Sequence, residues 1–336
     1  MITASPSARL SSPAPDWRQL WREAITDPAE LLALLGLHVL AAQLPRDHAG
    51  FALRVPRGFV ARMRHGDARD PLLLQVLPQL AELDDVDGFS TDAVGDLAAR
   101  ETQGLLHKYQ GRALLIASGS CAVNCRYCFR RHFPYGEEMA AAGQWRQALA
   151  HLRDDPSITE LILSGGDPLA LATGKLEELA RGLAELPHVT RLRIHTRLPV
   201  VLPERIDANF LAWLEALPLQ KVVVLHANHA NEFDATVDDA CARLRDAGAT
   251  LLNQAVLLKG INDDANALVA LSERLFAASV LPYYLHQLDR VQGAAHFEVD
   301  DGRARDLVEA MRARLPGYLV PRLVREVAGD TSKRPL

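Results

Sequence analysis

The sequence predicts an α/β fold with a helical segment ahead of it, on three observations. From Arg112 onward short β-rich runs alternate with amphipathic stretches, the pattern of parallel β/α units. Those stretches are long enough to serve as crossover helices. Residues before about 105 carry apolar side chains at helical rather than alternating spacing. The chain therefore divides into an N-terminal lead-in and helical domain at 1–105 and a β/α domain at 106–336.

Residues 1 to about 16 are rich in Ser, Pro and Ala, with Ser5, Pro6, Ser11, Ser12, Pro13 and Pro15, and predict a mobile lead-in. Trp17, Leu20 and Trp21 lie at helical spacing, and Asp70-Pro71 and Ser90-Thr91 read as further helix starts. The longest apolar stretch, 31–44, includes His38 and Gln43. It is too short to cross a bilayer and reads as a buried helix. Strands are expected at 113–117, 160–163, 191–195, 221–226, 250–256 and 280–285, with 318–327 as one more strand or an arm. Helices at 174–184 and 234–246 lie between them. Six β/α units fit this count, but periodicity alone leaves a closed eight-fold barrel, a doubly wound sheet and a partial barrel equally open. In all three the site belongs at the C-terminal ends of the strands. The polar groups there are 164–167, 195–197, 226–229, Gln254 and 287–289.

Hydrophobic residues at 49% and charged residues at 24% set disordered and fibrous classes aside. A net charge of -5 gives no electrostatic footprint for nucleic acid, so a small-molecule substrate is expected. Nothing resembles a secretory signal or a membrane span, which predicts a cytoplasmic protein. Of four cysteines, three fall within eight residues, a poor disulfide framework and a good metal or cluster framework. Cys121, Cys125 and Cys128 follow the first expected strand, so three thiolates converge in one loop. Three ligands on a four-iron cluster leave one iron open to a chelating cofactor. The competing reading is zinc, which wants a fourth ligand; the local candidate is His132. Cys241 sits in an amphipathic stretch and reads as a small core residue. Ser164, Gly165, Gly166 and Asp167 form a turn whose glycines permit close backbone approach, although a turn ending in Asp-Pro is also an ordinary helix start.

The C-x-x-x-C-x-x-C spacing with Tyr127 before its last cysteine resembles the radical S-adenosylmethionine superfamily. In that family the glycine-rich turn, here Ser164 to Asp167, holds the methionine amino group. The resemblance implies a partial (β/α)6 TIM-like barrel and a 4Fe-4S cluster that cleaves S-adenosyl-L-methionine to a 5'-deoxyadenosyl radical. From about residue 50 onward the likeness sharpens to lysine 2,3-aminomutases. It is carried by His107-Lys108-Tyr109, Arg112, Phe129-Arg130-Arg131, the segments 195–203, 226–232 and 253–263, and Pro282-Tyr283-Tyr284.

That family adds pyridoxal 5'-phosphate, so the resemblance implies a Schiff-base lysine, Lys333. By composition alone Lys333 would read as a solvated tail residue. The family carries a glycine-rich run before this lysine where this chain has Gly329 followed by Asp, Thr and Ser. Arg130 is implied to pair with the α-carboxylate of L-lysine, and Asp289 and Glu326 with its ε-ammonium. The second of these is Asp in the family, so Glu326 reaches one methylene further. Arg112 and Lys108 are implied contacts of pyridoxal phosphate, and His226 and Gln254 contacts of adenosylmethionine. The implied reaction moves the amino group of (S)-α-lysine from Cα to Cβ, fed by a reductant such as flavodoxin or ferredoxin. The chain stops three residues after Lys333 and carries Asp264 where longer relatives have a zinc-binding cysteine. This short form resembles the branch that makes (R)-β-lysine for elongation factor P, working with its lysyl-transfer enzyme. The rivals are a catabolic, osmolyte-forming or glutamate-type aminomutase, and a non-enzymatic iron-sulfur module.

Overall fold

The computed structural model describes residues 16–45, 51–136, 139–143 and 145–336. The lead-in expected before Asp16 lies outside the described residues. Among the described residues ten strands form one sheet in strict chain order: β1 Arg100–Thr102, β2 Leu105–Tyr109, β3 Arg112–Ser118, β4 Glu160–Gly165, β5 Arg191–Thr196, β6 Gln220–Leu225, β7 Ala249–Val256, β8 Leu281–His286, β9 Arg322–Arg325 and β10 Arg334–Pro335. From β3 to β9 every pairing is parallel. At the edges, β1, β2 and β10 pair antiparallel. A doubly wound sheet would reverse its strand order at a switch point; this one never does. The end strands β1 and β10 do not pair with each other, so the barrel stays partial and open.

Ahead of the sheet lie α1 Trp17–Arg22, α2 Pro28–Leu34 and α3 Arg57–Val60. The six crossover connections each carry a helix on the outside of the sheet: α4 Arg146–Asp154, α5 Thr173–Leu183, α7 Ala208–Ala216, α8 Ala235–Asp246, α9 Ala265–Ala277 and α10 Asp301–Arg312, with the single turn α6 Leu198–Val201 before α7. Four of these helices begin on an aspartate. The carboxylates of Asp207, Asp234, Asp264 and Asp300 accept first-turn backbone N–H groups, satisfying donors a helix start otherwise leaves unpaired. The apolar sides of strands and helices meet in a core that includes Leu161, Leu163, Ile194, Val223, Leu225, Val237 and Leu271, all buried. Cys241 is fully buried among them in α8.

The N-terminal segment departs from the helical expectation. The stretch 31–44 is not one buried helix. Leu35 ends α2 and Gly36 takes φ +69°, where an added Cβ would stand 2.4 Å from the His65 ring. Its N–H and that of Leu37 return to the carbonyls of Ala33 and Leu32, a glycine stop. The 3-10 stretch His38–Gln43 beyond it has no buried residue. Asp70 does accept the N–H groups of Leu72 and Leu73, but the chain continues from there as a run of turns rather than a helix, cut by Pro78. Ser90 and Thr91 start no helix either; Ser90 makes a bridge to Val291. The apolar residues of this segment share one continuous core with the barrel, including Leu31, Leu53, Phe59 and Leu73.

Candidate active site

The C-terminal ends of the parallel strands open on a cavity of about 330 Å³. Cys121, Cys125 and Cys128 follow β3 in one loop and line it. That loop is pinned from the N-terminal side: Glu82 accepts from Arg126 and from Arg131, and Arg126 also donates to the Phe51 carbonyl. Burial, reinforced by Cys125, pushes the Cys128 thiol up to about 11; a coordinated metal would release its proton. A single zinc sits about 2.3 Å from each sulfur and would draw the sulfurs together. The three cysteines do not gather within 4.8 Å as one ion requires; among the described residues only His107, His151 and Asp155 do. His132, the candidate fourth zinc ligand, instead contacts the Gln292 carbonyl. The donor set fits a cluster wider than one ion.

The glycine-rich turn closes against this loop. Gly165 has φ +123°, and an added Cβ would stand 2.4 Å from the Ser118 carbonyl; at Gly166 it would stand 2.6 Å from that of Ser120. Only glycine permits that approach. The carboxylate of Asp167 is spent on the protein: it accepts from the Thr196 hydroxyl and from the N–H groups of Leu169, Arg197 and Leu198. Asp167 therefore fixes the turn from behind rather than presenting a free carboxylate.

Across the cavity runs a chain of charges. The strand β10 folds back beside β9, which sets the Lys333 ammonium on Glu326. Glu326 also holds Lys108 at 3.1 Å. Lys108 reaches Asp96 at 2.6 Å, and Asp96 accepts from Arg130 Nε at 2.6 Å. Arg130 Nη1 donates to Ser164 Oγ at 2.9 Å, joining the chain to the glycine-rich turn. Lys333 is thus no solvated tail residue: its side chain is 19% exposed. Burial alone would raise the carboxyl of Glu326, but the ammonium groups of Lys333 and Lys108 hold it down to about 2. Arg112 lies over the Tyr109 ring at 4.7 Å and lines the same space.

Asp289, just past β8, is the exception to this pairing. Its Oδ1 is buried and has no hydrogen-bond partner. Burial and the neighbouring Glu326 push its carboxyl up to about 7. An unpaired buried carboxylate is costly, and a cationic ligand would relieve it. The strand-end histidines stay neutral. Burial, with Arg197 next in effect, lowers His226 to about 3; Gln254 lies 2.8 Å from its Nε2. His195 and His286 each leave a buried Nε2 without a partner.

All fifteen site residues read from the sequence line this one cavity. Two further residues matter whose sequence surroundings assign them no role. Asp96 joins Arg130 to Lys108, and nothing in its local pattern marks it. Arg197 stood among the strand-end polar groups; here its guanidinium donates to Cys125 Sγ, Tyr127 Oη and Gln75 Oε1, each at 2.7 Å, and to Glu232 at 2.9 Å. For adenosylmethionine and pyridoxal phosphate the fit rests on the glycine cradle on one side and, on the other, the primary amine of Lys333 beside Lys108, Arg112 and two tyrosine rings.

A loop of three spaced cysteines above a parallel sheet, facing a glycine-rich turn, defines a radical S-adenosylmethionine protein. The model of the Radical SAM superfamily matches residues 115–271; the superfamily implies a 4Fe-4S cluster and adenosylmethionine. Within it the chain is 49% identical over 323 residues to an L-lysine 2,3-aminomutase of Escherichia coli, covering 96% of this chain and 94% of that one. It is 45% identical to one of Haemophilus influenzae, over 95% and 94%. To one of Clostridium subterminale it is 34% identical, over 80% of this chain and 65% of that one. The chain belongs to the lysine 2,3-aminomutase family, an enzyme family of isomerases. Among the described residues no helix is long and apolar enough to cross a membrane.

Proposed function

We propose that this enzyme converts L-lysine to (R)-β-lysine in the 330 Å³ cavity, with pyridoxal 5'-phosphate held by Lys333. The observation that carries the reading is Asp289: a carboxylate whose Oδ1 is buried without a partner, in the same cavity as Lys333 and the three cysteines, calls for a cation at the far end of the substrate. Bound there, the cluster supplies the electron that cleaves adenosylmethionine, and pyridoxal phosphate supplies an electron sink for the migrating amino group. The chain's own residues do the rest. Arg130, fixed through Nε and Nη1, offers its remaining nitrogen to the α-carboxylate, for which a planar guanidinium is suited. Lys108 and Arg112 counter phosphate charge. Glu326 keeps the Lys333 amine in place and, beside Asp289, would add negative charge for the substrate ammonium. His226 and Gln254, neutral and bonded to each other, border the adenosylmethionine side, and buried walls exclude water and stray hydrogen donors. Two carboxylates at the far end favour lysine over glutamate.

The same reading gives the β-lysine to elongation factor P through its lysyl-transfer enzyme, with flavodoxin or ferredoxin as reductant. The 49% identity to the Escherichia coli relative, against 34% to the Clostridium subterminale one, supports the former's branch. A cytoplasmic location suits unpaired thiols that must stay reduced. The test is borohydride reduction of the pyridoxal-phosphate-loaded protein followed by peptide mass mapping. A pyridoxyl group on Lys333 is expected; one on Lys108 or any other lysine overturns the assignment.

A further inference from the structure

We propose that His107, His151 and Asp155 form a site for one divalent transition-metal ion, of zinc type, on the outer side of the barrel. The three side chains come from β2, from α4 and from the residue that ends α4. One ligand atom from each lies within 4.8 Å of the others. None of the three borders the catalytic cavity.

The ordinary alternative is a His107–Asp155 ion pair. His107 Nδ1 stands 4.0 Å from Asp155 Oδ2, too far for a hydrogen bond. That pairing also leaves His151 unused: its Nε2 is buried without a partner, and the two imidazole rings meet edge to face at 6.2 Å. A metal would satisfy both groups at once. The carboxylate is already oriented, because its Oδ1 accepts from the N–H and hydroxyl of Ser157 at 3.0 and 2.6 Å and leaves Oδ2 to the site. Such an outer partner is what ligating carboxylates usually have. Two imidazoles and one carboxylate match zinc or its first-row neighbours, with the fourth position left to water.

A cation here ties β2 to α4, beside the bond that Thr102 of the neighbouring β1 donates to Gln147 of α4. Its neighbour in β2 is Lys108, the middle link between Asp96 and Glu326. Metal binding therefore stiffens the strand that carries Lys108 without touching the reacting groups.

The experiment titrates the full-length, cluster-loaded protein with Zn²⁺ against a chromogenic chelator under anaerobic conditions. Cluster absorbance is followed in the same sample, so that metal taken by vacated cysteines is recognised. One Zn²⁺ per chain is expected, with a raised melting temperature. His151→Ala and Asp155→Asn should each weaken the binding at least ten-fold, while His38→Ala, at an exposed histidine, leaves it unchanged. Asp155→Asn keeps the shape of the side chain, so it reports even if His151→Ala folds poorly. Co²⁺ bound in place of Zn²⁺ should give visible bands that both variants lose. Equal Zn²⁺ binding by wild type and Asp155→Asn, or none by wild type, overturns the proposal.

Discussion

Replacing Asp289 with Asn separates what this residue does for the fold from what it does for the substrate. In the folded protein, burial and Glu326 push its carboxyl up to about 7, and Oδ1 has no partner. The folded state therefore holds the proton more tightly than the unfolded chain, whose carboxyl titrates near 4. Stability consequently falls as pH rises from about 4 to about 7, and the penalty is constant above that. An unpaired buried group of this kind costs about 1–3 kcal/mol. Asn removes the charge at nearly the same volume, so the ligand-free variant should melt higher than wild type at pH 8 and at the same temperature at pH 3.5. Lysine turnover should move the other way. Loss of one charge-assisted contact of about 1.5–3 kcal/mol lowers kcat/KM for lysine about ten- to a hundred-fold, with adenosylmethionine affinity within two-fold of wild type. In wild type, KM for lysine should rise as pH drops below about 7. Calorimetry at the two pH values and steady-state kinetics read these outcomes. An Asn variant that is no more stable at pH 8 and rearranges lysine at the wild-type rate refutes the argument.

The same geometry yields three further outcomes. Arg197 donates to Cys125 Sγ at 2.7 Å, so Arg197→Gln should make the cluster harder to reduce; a charged hydrogen bond of about 1.5–3 kcal/mol corresponds to about 60–130 mV for one electron. An EPR-monitored redox titration reads it, and an unchanged potential would remove Arg197 from the cluster's surroundings. Changing Cys121, Cys125 or Cys128 to Ala should abolish adenosylmethionine cleavage while Cys241→Ala, in the core of α8, retains it; equal loss in all four would undo the ligand assignment. Gly166→Ala places a Cβ 2.6 Å from the Ser120 carbonyl, a backbone clash that should cost about 1–3 kcal/mol and weaken adenosylmethionine binding at least ten-fold by calorimetry. A variant as stable and as tight as wild type would mean that the turn has room to spare.

The barrel was legible because the parallel strands are short apolar runs joined by amphipathic crossovers, four of whose helices start on an Asp cap. The run 221–226 became Gln220–Leu225 and the run 250–256 became Ala249–Val256. Strand order was not legible, since periodicity is the same in a barrel and a doubly wound sheet. The N-terminal segment misled for a different reason. Its apolar residues pack on the barrel from turns, and turn backbones keep no period: Leu72, Leu73 and Val76 are fully buried with no helix beneath them. At the site, cysteines and glycines were readable by motif, and Lys333 only through the family resemblance. Asp96 and the Arg197 network were not, because their meaning lies in partners far along the chain: Gln75 meets Arg197 across 122 residues and Glu232 across 157.

The central claim is an amino shift on lysine, and its most direct measurement is product analysis under anaerobic conditions. Protein reconstituted with iron, sulfide and pyridoxal phosphate, then reduced, is incubated with adenosylmethionine and isotopically labelled L-lysine or L-glutamate. Chiral chromatography with mass spectrometry should find (R)-β-lysine from lysine, its formation abolished by Lys333→Ala, and far less β-glutamate from glutamate. Adenosylmethionine cleavage without any β-lysine, or faster conversion of glutamate than of lysine, would contradict the account.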